Sequence, residues 1–204
     1  MGPLVLEGSD KLSIIYMAGG DLIEERVDGY NRVRQRHREM FNTLGSVKNQ
    51  LTREPVGSFE FHCVLLRTDV FATKCFLDEG FLSHREHLDV AREIRLRGGE
   101  VYFEPLSVVR YDTHRKFEDY DREFFELRWG EEWSNSSIEY NRKKWELGPE
   151  DAGLKRLANW TKKHRKLFER TQTSWAVHVA PLVARKKLAT WLRKHKVIAE
   201  RESQ

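Results

Sequence analysis

The sequence predicts an α/β domain, a partial sheet with flanking helices, followed by a basic helical tail. Three observations support this fold class: a strand-like alternation of apolar residues over 59–66, a helix that ends at Gly98-Gly99, and a strand over 100–104. A helix, a glycine stop and a strand within one short span are typical of α/β folds. At 204 residues the chain is long enough for one domain with a buried core.

Two strands or a hairpin are predicted near the N-terminus. The apolar runs 3–6 and 12–17 flank the turn-like segment Glu7-Gly8-Ser9-Asp10. Gly19-Gly20-Asp21 then interrupts the chain. Residues 22–54 are polar and arginine-rich with few apolar positions, which predicts a long surface excursion with some helix.

The segment from Phe59 to Lys74 predicts a strand and a short helix. Phe59, Phe61, Cys63 and Leu65 alternate with other residues, which indicates a strand whose apolar face carries Cys63 as a buried thiol. Thr68-Asp69 is a good N-terminal cap for a short helix from Val70 to Lys74.

A second helix and two extended pieces follow. Ser83 with Glu86 three residues later is a capping box, so the helix is expected to begin at Ser83 and run to about Arg97. The strand from Glu100 to Glu104 is expected to stop at Pro105, and 107–111 forms another extended piece.

The C-terminal third is predicted to be helical. Phe125, Trp129 and Trp133 lie four residues apart and form one helical stripe, which we interpret as packing on the body rather than as a sugar-stacking platform. Gly148-Pro149 marks the predicted boundary between a domain over 1–148 and a basic helical extension over 149–204. Residues 182–198 read as a basic amphipathic helix.

Composition narrows the class of protein. The aromatic fraction of 11% is too high for a disordered chain. Cys63 and Cys75 lack CxxC spacing, which favours free thiols in a reducing compartment. A zinc module built from these cysteines and His62 matches no structural zinc spacing. Without a secretory signal pattern or an apolar run of roughly 20 residues, the predicted location is cytoplasmic.

Charge is unevenly distributed along the chain. Residues 151–204 contain 14 Lys and Arg against 4 Asp and Glu, a net charge of +10. Because the whole chain has a net charge of +4, residues 1–150 have a net charge of −6. The basic tail suggests peripheral contact with an anionic inner membrane face, with Trp191 between basic clusters, although a solvated helix face is an equally simple interpretation. Nucleic-acid binding is not expected, because no recognised binding motif occurs and the body is acidic.

Acidic residues gather around the predicted start of the second helix: Asp78, Glu79, Glu86 and Asp89, with His87 among them. Helix N-termini favour anions, so carboxylates are readily held ionised there. Such a group can act as a general base that takes a proton from a hydroxyl. Capping and salt bridging are the structural alternatives for each of these residues.

The segment 61–111 resembles the half of family 2 glycosyltransferases that binds the acceptor. Leu77-Asp78-Glu79-Gly80-Phe81, Arg85-Glu86-His87-Leu88-Asp89-Val90, Gly98-Gly99 and Val101-Tyr102-Phe103-Glu104-Pro105 are similar in order and spacing to motifs of that family, which has the GT-A fold. The resemblance covers about 50 residues, with weaker similarity from Gly2 to about Trp145.

The resemblance implies transfer of a sugar from a nucleotide-diphosphate donor to the hydroxyl of a glycan or other acceptor, with inversion. His87 stands where the family has its catalytic Asp, so we rank the candidate bases Glu86, then His87, then Asp89. Further residues implied by the resemblance are Asp78, Glu79, Arg128 and Trp129 at the acceptor and His114 at a divalent metal, Mg or Mn. Arg128-Trp129 is similar to the end of a Gln-x-x-Arg-Trp motif, but Phe125 replaces the Gln, which argues against a processive polymerase.

The nucleotide-binding half of such an enzyme has no counterpart in the sequence. No parallel-sheet segment precedes Gly2. Asp119-Tyr120-Asp121 fits the metal-binding Asp-x-Asp pattern, but it follows the acidic helix, whereas in the family this pattern comes before it. The sequence therefore predicts a fragment or one part of a split enzyme, with the metal bound mainly by the other part. The alternative is a non-catalytic interaction module that binds a membrane surface or a partner through its basic tail.

Overall fold

The computed structural model describes residues 1–8, 13–72, 77–112 and 118–170, and these combine strands and helices in a mixed α/β arrangement. The strands are β1 (Gly2–Glu7), β2 (Ile14–Ala18), β3 (Gly20–Val27), β4 (Tyr30–His37), β5 (Glu54–Val56) and β6 (Val101–Tyr111). The α-helices are α1 (Leu44–Val47), α2 (Glu86–Leu96), α3 (Arg122–Trp129), α4 (Glu131–Lys144) and α5 (Ala152–Arg170), and 3-10 turns cover Lys48–Gln50, Thr68–Ala72 and Asp119–Asp121. Within these ranges, no helix combines the length and apolar character needed to cross a bilayer.

The main sheet is mixed and has four strands in the order β2-β1-β6-β5. β1 runs antiparallel to β2 and parallel to β6, and β5 pairs antiparallel with β6. Leu4, Val5 and Leu6 are all buried, as expected for an interior strand covered on both faces. The predicted α/β class is confirmed, and the predicted N-terminal strands are present as the pair β1 and β2.

β6 is one long strand with an interruption, whereas two separate extended pieces were predicted. Pro3 of β1 faces Glu104, but the next residue, Leu4, faces Val108, so the three intervening residues of β6 have no partner on β1. Pro105 lacks a backbone N–H and lies in this interruption. The local bulge leaves Leu106 91% exposed while the strand continues to Tyr111.

The prediction of a surface excursion with some helix over 22–54 is confirmed for its helix, since α1 and a 3-10 turn lie in the second half, but the first half forms the hairpin of β3 and β4. The two strands pair in continuous register from Gly20 opposite His37 to Val27 opposite Tyr30. Asp28 and Gly29 make the two-residue turn with φ values of 52° and 80°. Positive φ at both central residues is the requirement of a type I′ hairpin turn, which favours Asp-Gly.

The predicted strand over Phe59–Leu65 is wrong. This segment lies in a loop with turns and bends, and Cys63 is an exposed thiol rather than a buried one. Phe59 remains buried in the core, but Phe61, Cys63 and Leu65 are exposed, and Val64 and Leu66 pack against the core instead. The short helix expected over 70–74 is a 3-10 turn, Thr68–Ala72; Lys74 and Cys75 lie outside the described residues.

α2 begins at Glu86, three residues later than predicted. Arg85 precedes it in the left-handed conformation with φ of 68°, and no side chain caps the helix. Ser83 is buried instead, and its backbone N–H donates to Ser137 Oγ at 3.1 Å. The predicted capping box is therefore wrong, but the C-terminal stop is confirmed, with Gly98 at φ of 75°.

Two hydrophobic clusters meet at α2. Val90 and Ala91 pack in the sheet cluster with Leu4, Ile15 and Phe103. Leu88 packs in a second cluster that joins the β3–β4 hairpin to the helical region, and the other buried members of that cluster are Leu22, Val33, Phe81, Trp145, Leu147 and Leu154. Because residues of α2 pack in both clusters, the N-terminal half of the helix contacts the sheet as well as the helical region.

The helical region is built from α3, α4 and α5, which pack against one another. Gly130 separates α3 from α4, so the predicted stripe of Phe125, Trp129 and Trp133 does not lie on one continuous helix. The predicted helical segment after Gly148-Pro149 is present as α5. The predicted amphipathic helix over 182–198 lies outside the described residues.

Candidate functional site

The loop that carries Glu60 and His62 reaches the carboxyl ends of the parallel strands β1 and β6. Glu7 and Tyr111, the last residues of those strands, are paired in register. α2 precedes β6 and is joined to it at Gly98-Gly99. His62 stacks on Tyr111 and so brings the loop that carries Glu60 to the carboxyl end of β6. In α/β folds this edge of the sheet is the usual position of a binding site.

A buried carboxylate, Glu60, is the centre of the site. Gln35 Nε2 donates to Glu60 Oε1 at 3.0 Å, and His37 Nε2 lies 3.1 Å from the same oxygen. His87 Nε2 approaches that oxygen to 3.3 Å. Two of these partners come from β4 and the third from the first turn of α2, so Glu60 joins the hairpin to the helix.

The environment of Glu60 keeps it ionised. Its side chain is only 11% exposed, and those of His37 and His87 are 13% and 16% exposed. Burial by itself would raise the pKa of Glu60, but the interactions with His37 and His87 outweigh this effect and hold the pKa well below its usual range. The site therefore contains a fixed negative charge in contact with two imidazoles.

An aromatic surface borders the site. The ring of Tyr16 lies 5.1 Å from that of His37 and 5.3 Å from that of His62, and the His62 ring stacks on Tyr111 at 4.1 Å. Burial, together with the charge of Glu60, raises the pKa of the Tyr16 hydroxyl, which stays protonated at neutral pH. His62 and Tyr111 are partly open to solvent, so a ligand can reach this apolar face.

Glu86 is the first residue of α2 and is half-buried. Its Oε2 atom is buried and has no hydrogen-bond partner among the described residues. A carboxylate at a helix N-terminus is stabilised by the helix dipole. Glu86 thus combines a favourable position for an anion with unused hydrogen-bonding capacity.

The carboxylates of Asp78 and Asp89 are engaged by α4 and the residue that follows it. Lys144 Nζ donates to Asp89 Oδ2 at 2.6 Å and to Asp78 Oδ2 at 2.7 Å. Trp145 Nε1 donates to Asp89 Oδ1 at 2.9 Å, and Tyr140 bonds Asp78. Both acidic residues therefore connect the helical region to α2 and the loop before it. This is the salt-bridging role that was the structural alternative for them.

Arg128 and Trp129 lie at the end of α3, in a second aromatic group. The guanidinium of Arg128 is over the Trp129 ring at 5.7 Å, and Trp129 stacks on His164 at 4.2 Å. Burial lowers the pKa of His62, and the positive charge of Arg128 contributes to that lowering. Trp129 is buried and so offers little surface to a ligand.

The remaining predicted site residues are not part of this cluster. Glu79 is exposed in the loop before α2. His114, the predicted metal ligand, lies outside the described residues. In the ranges that the structure covers, no group of three or more His, Cys, Asp or Glu side chains is arranged to hold a metal ion. The described residues thus do not fit the divalent metal that the resemblance implies.

Three residues of the site, Glu60, His37 and Tyr16, were not singled out from the sequence. Glu60 and His62 were placed on the polar face of a strand that does not form. A signal for His37 was present in the Asp28-Gly29 turn, since pairing the flanking segments in register brings His37 opposite Gly20 at the edge of the sheet. The contact between Glu60 and His87 depends on loop geometry that no local pattern encodes.

Comparison with known proteins identified no relative: no protein-family model, curated protein or solved structure matches the chain.

Proposed function

We propose that this chain carries the acceptor-binding part of a nucleotide-sugar glycosyltransferase of the family 2 type. The observation that supports this most is the position of Glu86 and His87 at the first turn of α2, where His87 lies against Glu60. His37, on the same carboxylate, connects them to the aromatic face of Tyr16, His62 and Tyr111. A general base next to a surface that can receive a sugar ring is what an acceptor site requires.

The reaction is a single displacement at the anomeric carbon of the donor sugar. The base removes the proton of the acceptor hydroxyl while the hydroxyl oxygen forms a bond to that carbon. The bond from the anomeric carbon to the diphosphate oxygen breaks, and the nucleoside diphosphate leaves with the bonding electrons. The configuration at the anomeric carbon inverts because the attacking and leaving oxygens occupy opposite faces.

Glu86 and His87 are the two groups that the geometry allows for the base. Asp89 is only 1% exposed and already accepts hydrogen bonds from Lys144 and Trp145. Both oxygens of Asp89 are thus already occupied by donors, so this carboxylate is not available to a substrate hydroxyl.

The family also implies a divalent cation at the diphosphate, and the proposed role of the described residues is independent of it. They take the acceptor proton and orient the acceptor. No step is assigned here to the cation, because the described residues provide no site for it.

The experiment uses the native protein, isolated from its source with an antibody to residues 61–111. It is incubated with uridine, guanosine and thymidine diphosphate hexoses, Mg²⁺ or Mn²⁺ and a panel of hydroxyl acceptors, and nucleoside diphosphate release and glycosylated product are measured. Glu86→Gln and His87→Gln are introduced into the natural gene, with Glu93→Gln as the matched control two turns further along α2.

We expect acceptor-dependent sugar transfer by the native protein and by Glu93→Gln. Loss of the base should lower turnover by about 10²–10⁴-fold in at least one of the two site variants. Absence of transfer with every donor, or full activity in both site variants, would contradict the proposed function.

The alternative function, binding of an anionic membrane surface through the basic tail, concerns residues 171–204, outside the described residues. It stays a prediction, as does cytoplasmic location with peripheral membrane contact. Co-sedimentation of the protein with anionic and neutral vesicles tests it, and equal pelleting with both would contradict an electrostatic interaction.

A further inference from the structure

We propose that Glu60 is a positioning residue that makes His87 the base of this site, with His37 as a second imidazole on the same carboxylate. This inference rests on the proposed function and decides between the two bases that it leaves open. It assigns a role to two residues, Glu60 and His37, that lie far from the α2 motif in sequence.

The position of the His87 ring beside Glu60 carries the argument. Its Nε2 atom lies 3.3 Å from Glu60 Oε1, outside hydrogen-bond geometry but close enough that a lone pair on Nε2 would be repelled by the ionised carboxylate. We therefore place the proton on Nε2, which leaves the lone pair of the neutral ring on Nδ1. In this tautomer Nδ1 takes the proton of the acceptor hydroxyl, Nε2 keeps its own, and the imidazolium formed is stabilised by Glu60, as in hydrolase triads.

Glu60 is held well enough to orient the ring. Three nitrogens, from Gln35, His37 and His87, converge on its Oε1 atom at 3.0–3.3 Å, and its side chain is 11% exposed. Burial of a carboxylate is costly unless its hydrogen bonds are satisfied, and these contacts provide that compensation. A fixed acceptor of this kind restricts both the tautomer and the rotation of the imidazole.

The comparison with Asp89 distinguishes this arrangement from a structural ion pair. Asp89 is neutralised by a permanently charged group, Lys144, at 2.6 Å. Glu60 has no such partner among its described contacts, and two of the groups beside it are imidazoles, side chains that can both bind and donate a proton. A buried anion whose partners take up and release protons is suited to proton transfer.

Several other groups influence His87 electrostatically. The positive charge of a protonated His87 acts on His62 and His84. Burial is the main cause that lowers the pKa values of these two histidines, and positive charges nearby, including those of His87 and Arg128, lower them further. Glu86 precedes His87 on the same helix. Among these groups, Glu60 is the anion in contact with the ring, so removing it should have the largest effect on protonation of His87.

The first experiment needs neither activity nor a variant of Glu60. Nitrogen-15 NMR of the imidazoles at pH 8, with the His87 signals assigned through their absence in His87→Gln, reports which ring nitrogen carries the proton. We expect the Nε2–H tautomer. An Nδ1–H tautomer would overturn the proposal, because a lone pair would then face the carboxylate.

The second experiment measures the pH dependence of sugar transfer in the native protein, Glu60→Gln and Glu60→Asp. Glu60→Gln should lower kcat at least 100-fold with KM changed less than about 5-fold, and should move the acid limb of the profile to lower pH because the imidazolium loses its anion. Glu60→Asp keeps the charge and should recover part of the rate. An unchanged acid limb and kcat in Glu60→Gln would overturn the proposal.

The two experiments separate this inference from the proposed function. The Nε2–H tautomer without any sugar transfer would support the Glu60–His87 pair and contradict the glycosyltransferase. Sugar transfer with the Nδ1–H tautomer would support the glycosyltransferase and return the role of base to Glu86. If Glu60→Gln does not fold, the tautomer in the native protein still decides the matter.

Discussion

The acidic residues around the start of α2 divide into two groups by their contacts. His87 lies against Glu60 and Glu86 Oε2 has no hydrogen-bond partner among the described residues, whereas Asp78 and Asp89 both pair with Lys144. Residue type and spacing cannot make this division, since Asp89 is three residues from Glu86 and belongs to the same motif. Lys144, 55 positions further along the chain, assigns Asp89 its structural role.

Replacing Asp89 with Asn tests that structural role. The change removes one charge of a buried ion pair and leaves Lys144 with Asp78 alone, so we expect the free energy of unfolding to fall by about 3 kcal/mol. Urea titration followed by tryptophan fluorescence measures it. Asp69→Asn is the control, because Asp69 pairs with Arg67 in an exposed position and its loss should leave the midpoint unchanged. Equal midpoints for the two variants would contradict the assignment.

At the level of elements, the sequence predicted those parts of the fold that local signals determine. β1, β2 and the end of α2 were predicted because apolar runs and a Gly-Gly stop act over a few residues. The hairpin of β3 and β4 was missed because its strands are polar and arginine-rich, so Asp28-Gly29 was the only local sign of it. The false strand over 59–65 shows the reverse case, in which an alternating pattern belongs to a loop whose path depends on tertiary contacts.

The hairpin is joined to the main sheet by a close backbone contact at Gly57. Its N–H donates to the carbonyl of Gly20 at 2.7 Å, and an added Cβ would lie 2.4 Å from the backbone nitrogen of Leu22. Because main-chain atoms cannot rotate away, Gly57→Ala should lower the free energy of unfolding by about 2–3 kcal/mol. Gly45→Ala is the control, since nothing lies within 4 Å of its Cβ position and alanine favours α1. Thermal unfolding of both variants measures the difference, and an equal Tm would contradict the contact.

For the whole molecule, the packing of α5 depends on two buried histidines. His84, 4% exposed, lies 5.2 Å from the Trp129 ring and 5.7 Å from the Trp160 ring, and His164 stacks on Trp129. This group joins the segment before α2 to α3 and α5. Burial, with the positive charge of Arg128 nearby, lowers the pKa of His84 to about 3, and burial also lowers the pKa of His164.

The molecule should therefore lose stability in mild acid. Below the ordinary histidine pKa of about 6.5 the unfolded chain binds a proton at His84, while the folded chain resists it until pH approaches about 3. The stability contributed by the neutral ring is complete above about pH 6.5 and declines by about 1 kcal/mol per pH unit as the pH falls through this window. His84→Phe keeps an aromatic ring, and the Nε2 atom that it removes has no hydrogen-bond partner among the described residues. Urea unfolding at pH 7.5, 6.0 and 5.0 should show a shallower decline for His84→Phe than for the native protein, and parallel declines would mean that His84 is not held neutral by its burial.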